Sequence, residues 1–172
     1  DSIVVTAKSN RKSYLAPADR KKAKVSILVV DLGLSKSATL NALSLSNRLT
    51  LGFSPYANDI KDWVEQADVK GFESFVNMPM QPIDYPINDP GPYALLHNLS
   101  IGENLSRLDW VLARSEKLVG IYSGEDETFM SSRNDVTPIL DTLRKRDKIF
   151  ISADKNNLKT IQGLSDSIAL EF

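Results

Sequence analysis

Short apolar runs alternate with stretches of helical spacing along most of the chain, and this alternation limits the fold more than any other feature. The runs are Val25–Val30, Leu49–Phe53, Phe72–Val76, Leu118–Tyr122 and Lys148–Ile151. Val25–Val30, apolar except for Ser26, predicts a strand buried on both faces. Asp31-Leu32-Gly33 then reads as a turn. Ser35 is placed to cap a helix carrying Ala38, Leu40, Ala42, Leu43 and Leu45. Asn58 or Asp59 opens a second helix, with Ile60, Trp63, Val64 and Ala67 on its buried face. Ser100, with Glu103 in capping-box position, opens a third through Leu105, Leu108, Val111 and Leu112. Asn134 or Asp135 opens a fourth through Val136, Ile139, Leu140 and Leu143. A short helix over Asn156 to Gln162 follows, and Ile168, Leu170 and Phe172 alternate like a strand.

Strand and helix in alternation predict βαβ units and a parallel sheet, either open or closing into a barrel, with Val25–Val30, Phe72–Val76 and Leu118–Tyr122 as neighbouring buried strands. In both cases the functional face lies beyond the carboxyl ends of the strands. That rule selects Asp31, Ser54 to Tyr56, Asn77 to Gln81, Tyr122 to Glu127 and Ser152 to Asp154. The segment Met78 to His97 carries Pro79, Pro82, Pro86, Pro90 and Pro92, so no helix or central strand runs through it. A long loop inside a compact domain is usually functional, and this one is expected to be ordered over the cleft. A tight turn is expected at Asn88-Asp89-Pro90-Gly91.

Composition removes several classes. A length of 172 residues is enough for one domain with a full core. Residues 25–172 are read as that domain, and residues 1–24, with seven lysines and arginines, as a basic arm or linker. Lys plus Arg is 21 against 22 for Asp plus Glu, a balance that argues against a nucleic-acid partner. There is no cysteine and one histidine, which leaves no thiol chemistry, no disulfides and no ordinary zinc site. Gly33 stands alone, without a phosphate-cradling glycine loop. No apolar run approaches the ~20 residues of a membrane helix, so any membrane tether lies outside this chain. No signal peptide is recognised, and a start on Asp1 rather than Met fits a mature or trimmed form.

Four strings fall on the functional face: Asp31-Leu32-Gly33-Leu34-Ser35, Ser54-Pro55-Tyr56-Ala57, Met78-Pro79-Met80-Gln81-Pro82 and Asn88-Asp89-Pro90-Gly91-Pro92. With Asn104-Leu105-Ser106-Arg107-Leu108-Asp109-Trp110 in the following helix, they resemble the divergent polysaccharide deacetylase family, a bacterial envelope branch of the NodB-like carbohydrate esterases. The resemblance runs from about Val25 to Ile151. It implies an irregular (β/α) barrel of parallel strands, and a periplasmic or cell-envelope location. Family members usually continue past the position of Phe172.

Ordinary polysaccharide deacetylases remove acetyl groups with a metal. Two aspartates end the first strand, one as base and one as ligand, and two histidines complete the site. The metal lowers the pKa of bound water and polarises the carbonyl, while the base takes the proton. Residue by residue, this chain departs from that set. The first strand ends in Val30-Asp31, leaving one carboxylate. Asn77 stands where a histidine can stand before the Pro-Met motif, and Gln81 replaces the motif's glutamate. The loop after the fourth strand reads Tyr122-Ser123-Gly124-Glu125-Asp126-Glu127, without histidine, and the fifth strand ends in Ser152. No metal and no cofactor are therefore expected, and the resemblance implies the fold more strongly than the activity.

The candidates each carry two readings. Asp31 is a leftover base or ligand, or a carboxylate capping the next helix, and the cap is favoured. Asp31, Glu125 and Asp126 could form an oxygen-rich site for a hard cation such as calcium or magnesium, although short acidic runs are usually solvated loops. His97 is read as structural. Tyr56, Tyr85, Tyr93 and Tyr122 offer rings suited to sugar faces or to a protein partner, whereas Trp63 belongs to the core. The expected ligand cleft comprises Asp31, Tyr56, Asn77, Pro79, Gln81, Tyr93, Tyr122 and Ser123. Three functions follow. One is a deacetylase-like envelope domain binding a glycan, such as peptidoglycan or another N-acetylated polysaccharide, or an envelope protein. Another is an active metal-dependent hydrolase with a rebuilt site. The last is a protein-interaction scaffold using the Pro-rich loop.

Overall fold

The structure, a computed structural model, describes residues 3–5, 25–124 and 128–153. Its elements are β1 (Ile3–Val5), β2 (Leu28–Leu32), α1 (Lys36–Ala42), β3 (Thr50–Phe53), α2 (Ile60–Val69), β4 (Glu73–Asn77), α3 (Ile101–Leu112), β5 (Gly120–Ser123), α4 (Arg133–Lys145) and β6 (Ile149–Ser152). A 3-10 turn at Thr128–Ser131 precedes α4. The strands form one sheet in the order β1-β6-β5-β4-β3-β2. β2 to β6 are parallel neighbours in chain order, and β1 adds antiparallel at the β6 edge. Ile3–Val5, within the basic stretch read as an arm, is thus an edge strand.

Two facts together select barrel-type winding over a doubly wound sheet. Every crossover advances by one strand in the same direction. All four helices also share one apolar cluster, and therefore one face of the sheet. That cluster joins Leu43, Ile60, Val64, Leu108, Val111, Ile139 and Leu140 to Leu51, Phe53, Val76, Ile121 and Phe150 of the strands. The opposite face carries Phe75, Val119 and Tyr122, packed with Leu28, Ile149 and Ile151. A (β/α) barrel turns that face inward.

Local signals place the helices. Ser35 caps α1, its side chain accepting from the Ala38 N–H at 3.4 Å. Ser100 and Glu103 complete a capping box on α3, and the Glu103 carboxylate accepts from the Ser100 N–H at 2.9 Å. Those hydrogen bonds hold the Glu103 carboxyl below its ordinary pKa. The predicted faces of α2 and α4 are buried as expected, and Trp63 is a core residue.

Five expectations are corrected. The first strand is an edge strand, not one buried on both faces: Val25 is 83% exposed and Val30 44%. It also runs on through Asp31 and Leu32, where a turn was predicted, with a register shift between Val29 and Leu32. The strands at Leu28–Leu32 and Glu73–Asn77 are not direct neighbours, because β3 lies between them. α1 buries Thr39 and Ala42 and leaves Leu40 exposed, since only one narrow stripe of a seven-residue helix reaches the sheet, and it ends at Ala42, before the exposed Leu45. The α4 cap is Ser132, which accepts from the Asp135 N–H at 3.4 Å, so the helix starts before Asn134. The helix expected at Asn156 to Gln162 and the strand expected at Ile168 to Phe172 lie outside the described residues.

Candidate cleft at the carboxyl ends of the strands

The register shift in β2 puts Asp31 at φ 59°, a left-handed conformation that Asp tolerates better than most residues. Its N–H donates to the Tyr122 hydroxyl at 3.3 Å. Tyr122 starts on β5, so its ring must cross the sheet above β3 to reach β2. Gly52 makes this passage: a Cβ there would lie 2.7 Å from Tyr122 Cε1. Burial pushes the Tyr122 phenol well above the ordinary tyrosine range, only partly offset by the Asp31 N–H. Tyr122 is thus a neutral phenol. The expected cap role of Asp31 does not hold, because Ser35 caps α1 and Thr39 Oγ1 accepts the Gly33 N–H at 2.8 Å.

Asn77 is the register partner of Tyr122 and shares its face. The Asn77 Oδ1 is buried and has no hydrogen-bond partner among the described residues. Ser123 lies on the other, helix-covered face, where its hydroxyl donates to Ser152 Oγ at 3.3 Å. The geometry therefore divides the expected cleft. Asp31, Asn77 and Tyr122 converge, whereas Ser123 belongs to a buried pair behind them.

The remaining candidates hold the Pro-rich segment in place. Pro79 is buried and its carbonyl accepts the Leu95 N–H at 2.9 Å, while the Gln81 N–H donates to the Leu95 carbonyl at 2.8 Å. Gln81 Oε1 accepts the His97 N–H at 3.1 Å. The Tyr56 hydroxyl donates to the Pro90 carbonyl at 3.1 Å and accepts the Tyr93 N–H at 3.3 Å. Gly91, at φ 103°, is required beside it: a Cβ there would sit 2.6 Å from that hydroxyl. Asp89 Oδ1 accepts the Gly91 N–H at 2.9 Å, closing the turn expected at Asn88 to Gly91. Tyr93 stacks on Trp110 with coplanar rings 3.5 Å apart at their centroids, so one of its faces is already occupied. The Arg114 guanidinium lies 5.0 Å from the Trp110 ring and donates to the Ala57 carbonyl. The segment is thus ordered and tied to α3 and to the β3–α2 turn.

Two partnerships had no signal in the sequence. His97 Nδ1 lies 2.6 Å from Asp135 Oδ2, and the imidazole stacks on Phe129 at 5.5 Å. Its structural reading gains a concrete form here, a clasp between the Pro-rich segment and the first turn of α4. Asn104 is buried and bonds both ways to Leu96, accepting its N–H and donating to its carbonyl, each at 3.0 Å.

The described residues do not by themselves assemble a transition-metal donor set. Among the described residues no three His, Asp or Glu side chains converge. Asp31 is the one charged donor of the converging set, Asn77 offers a neutral amide, and Gln81 Oε1 is already bonded. Glu125 and Asp126 lie outside the described residues.

Comparison with curated proteins finds no match. A solved structure of an uncharacterized protein from Agrobacterium tumefaciens C58 is similar, with a TM-score of 0.81 at 24% identity, over 98% of this chain and 71% of that one. This likeness supports the parallel α/β fold. The family model for divergent polysaccharide deacetylases matches residues 27–170, most of the sequence. This chain belongs to the divergent polysaccharide deacetylase family.

Proposed function

We propose that this chain is a polysaccharide deacetylase-like domain of the bacterial cell envelope or periplasm that binds a glycan without the family's metal-dependent hydrolysis. The observation that carries the reading is the pairing of Asn77 and Tyr122. Where an imidazole can stand, there is an amide whose buried Oδ1 has no donor among the described residues, on the same face as a phenol that burial keeps neutral. An unmet acceptor and a neutral hydroxyl on one face suit an uncharged polar ligand better than a cation. Family membership supplies the carbohydrate class, and the envelope location rests on the same relationship. One observation favours a protein partner as a second reading. Ile83 and Ile87, on the Pro-rich segment, are 77% and 91% exposed.

The test is calorimetric titration of the purified chain with N-acetylglucosamine and peptidoglycan oligomers, together with an acetate-release assay and elemental analysis. The expected result is saturable binding, weakened by Asn77→Ala and Tyr122→Phe, with neither acetate release nor stoichiometric zinc. One zinc, cobalt or nickel per chain, lost in Asp31→Ala, would sink this reading and promote a hydrolase rebuilt around Asp31, Glu125 and Asp126. Absence of glycan binding, with capture of an envelope protein that is lost in Ile87→Asp, would favour the scaffold.

A further inference from the structure

The exposed apolar surface of this chain is concentrated on one unit of the fold. Of the ten large apolar side chains exposed among the described residues, six lie at 25–45: Val25, Ile27, Val30, Leu34, Leu40 and Leu45. They belong to β2, to α1 and to the residues beside them. β2 ends the sheet, and among the described residues only β3 pairs with it. The Ile27 carbonyl accepts the Thr50 N–H at 3.0 Å, so Ile27 and Val29 turn their backbone groups toward β3. By strand alternation, both backbone groups of Leu28 and the N–H of Val30 face outward. Sheets avoid further pairing with short edge strands, or with charged residues and prolines on the edge. β1, at the other end of the sheet, is three residues long. Val25 to Val30 has six residues, no charge and no proline.

Charge selects a second copy of this chain as the occupant. From Val25 to Leu45 the charged residues are Asp31 and Lys36 alone, and the net charge of the chain is -1, so two copies meet here without strong repulsion. Two identical strands related by a two-fold axis run antiparallel. Outward-facing residues must then oppose outward-facing residues, which puts Leu28 opposite itself and Val30 opposite Ser26 of the second copy. In that register Asp31 falls opposite Val25 of the second copy. The two Asp31 carboxylates stand at opposite ends of the pair, about 20 Å apart, and no like charges face each other.

We propose that this chain forms a two-fold dimer through antiparallel pairing of β2, with Leu28 on the axis. The Leu28 N–H and carbonyl of each copy bond those of the other, and each Val30 N–H donates to the Ser26 carbonyl of the second copy. On the helix-covered face Ile27, 53% exposed in one chain, packs against Val29 of the second copy. On the opposite face the two Leu28 side chains meet. The two sheets become continuous, and because their strands run in opposite directions the two Asn77–Tyr122 clefts open at opposite ends of the pair. The interface does not depend on the glycan reading, because it uses neither Asn77 nor Tyr122.

Sedimentation equilibrium of the whole chain reads the assembly, and the absence of cysteine allows its register to be read by cross-linking. The expected result is a monomer–dimer equilibrium that Ile27→Lys weakens about tenfold, because lysine on an edge opposes pairing. Ile27 is exposed, so the variant should keep the far-ultraviolet dichroism of the parent, which checks that it folds. In the proposed register Ile27 and Val29 of the second copy form a non-hydrogen-bonded pair with Cα atoms about 4.5 Å apart, within reach of a disulfide. Two copies of Ile27, or of Val29, are diagonal neighbours about 7–8 Å apart, beyond that reach. Mild oxidation of Ile27→Cys mixed with Val29→Cys should therefore give a covalent dimer, and either variant alone should not. A monomer at every concentration would overturn the proposal. So would a dimer indifferent to Ile27→Lys, which places the contact elsewhere, or single variants that cross-link as readily as the mixture. A monomer whose Leu28 and Val30 amides exchange slowly would assign the edge to another segment of this chain and overturn it too.

Discussion

Tyr56→Phe tests how the Pro-rich segment is held. The change removes one oxygen and keeps the ring, which packs against Gly91 and lies 6.2 Å from Trp110. Two hydrogen bonds disappear, one to the Pro90 carbonyl and one from the Tyr93 N–H. Each is worth about 1 kcal/mol net. Pro90 and Tyr93 are only half-buried, so water can recover part of the loss. The expected cost is about 1–2 kcal/mol, below the sum for two fully buried bonds. For a domain of this length that lowers Tm by about 3–6 °C. Amide exchange gives the sharper readout: protection of the Tyr93 N–H should fall by about five- to thirty-fold, while core amides of β4 and β5 follow only the global change. Unchanged Tm with unchanged exchange at Tyr93 would refute the idea that this hydroxyl fastens the segment. A uniform loss across the whole sheet would instead assign it to the core.

Gly52→Ala should destabilise by about 1–3 kcal/mol in denaturant titration, because the new methyl meets the Tyr122 ring at 2.7 Å in a close-packed layer. For pH, the Tyr122 and Tyr56 phenols are both raised in the folded state by burial. A raised pKa means that their contribution is complete below the ordinary tyrosine value of about 10 and is lost as pH rises through the folded values. Stability should therefore fall at alkaline pH, and Tyr122→Phe should flatten that decline in a pH series of thermal melts. Glu103 has the opposite sign. Its depressed pKa adds stability above the ordinary carboxyl value of about 4.3, lost as pH falls through the folded value, so Glu103→Gln should remove part of the acid-side slope.

Much of the fold is local and was legible in the residues. The Ser35 and Ser100 caps, the capping box at Glu103 and the buried faces of α2 and α4 rest on contacts three or four residues apart, which helical periodicity encodes directly. The βαβ alternation likewise implied parallel strands, and the motifs around Met78 and Asn88 pointed to the family. Tertiary structure decided the rest. Nothing in the run Val25–Val30 distinguishes an edge strand from a central one, because apolar composition does not record which neighbours arrive. That the helices share one face depends on the direction of every crossover together. Tyr122 meets the N–H of Asp31 across 91 residues, and only the gap left by Gly52 lets its ring through. His97 finds Asp135 across 38 residues with no motif to announce the pair. Contacts of this kind have no periodicity to read, since their partners are set by sheet order and loop path, and the site is built almost entirely from them.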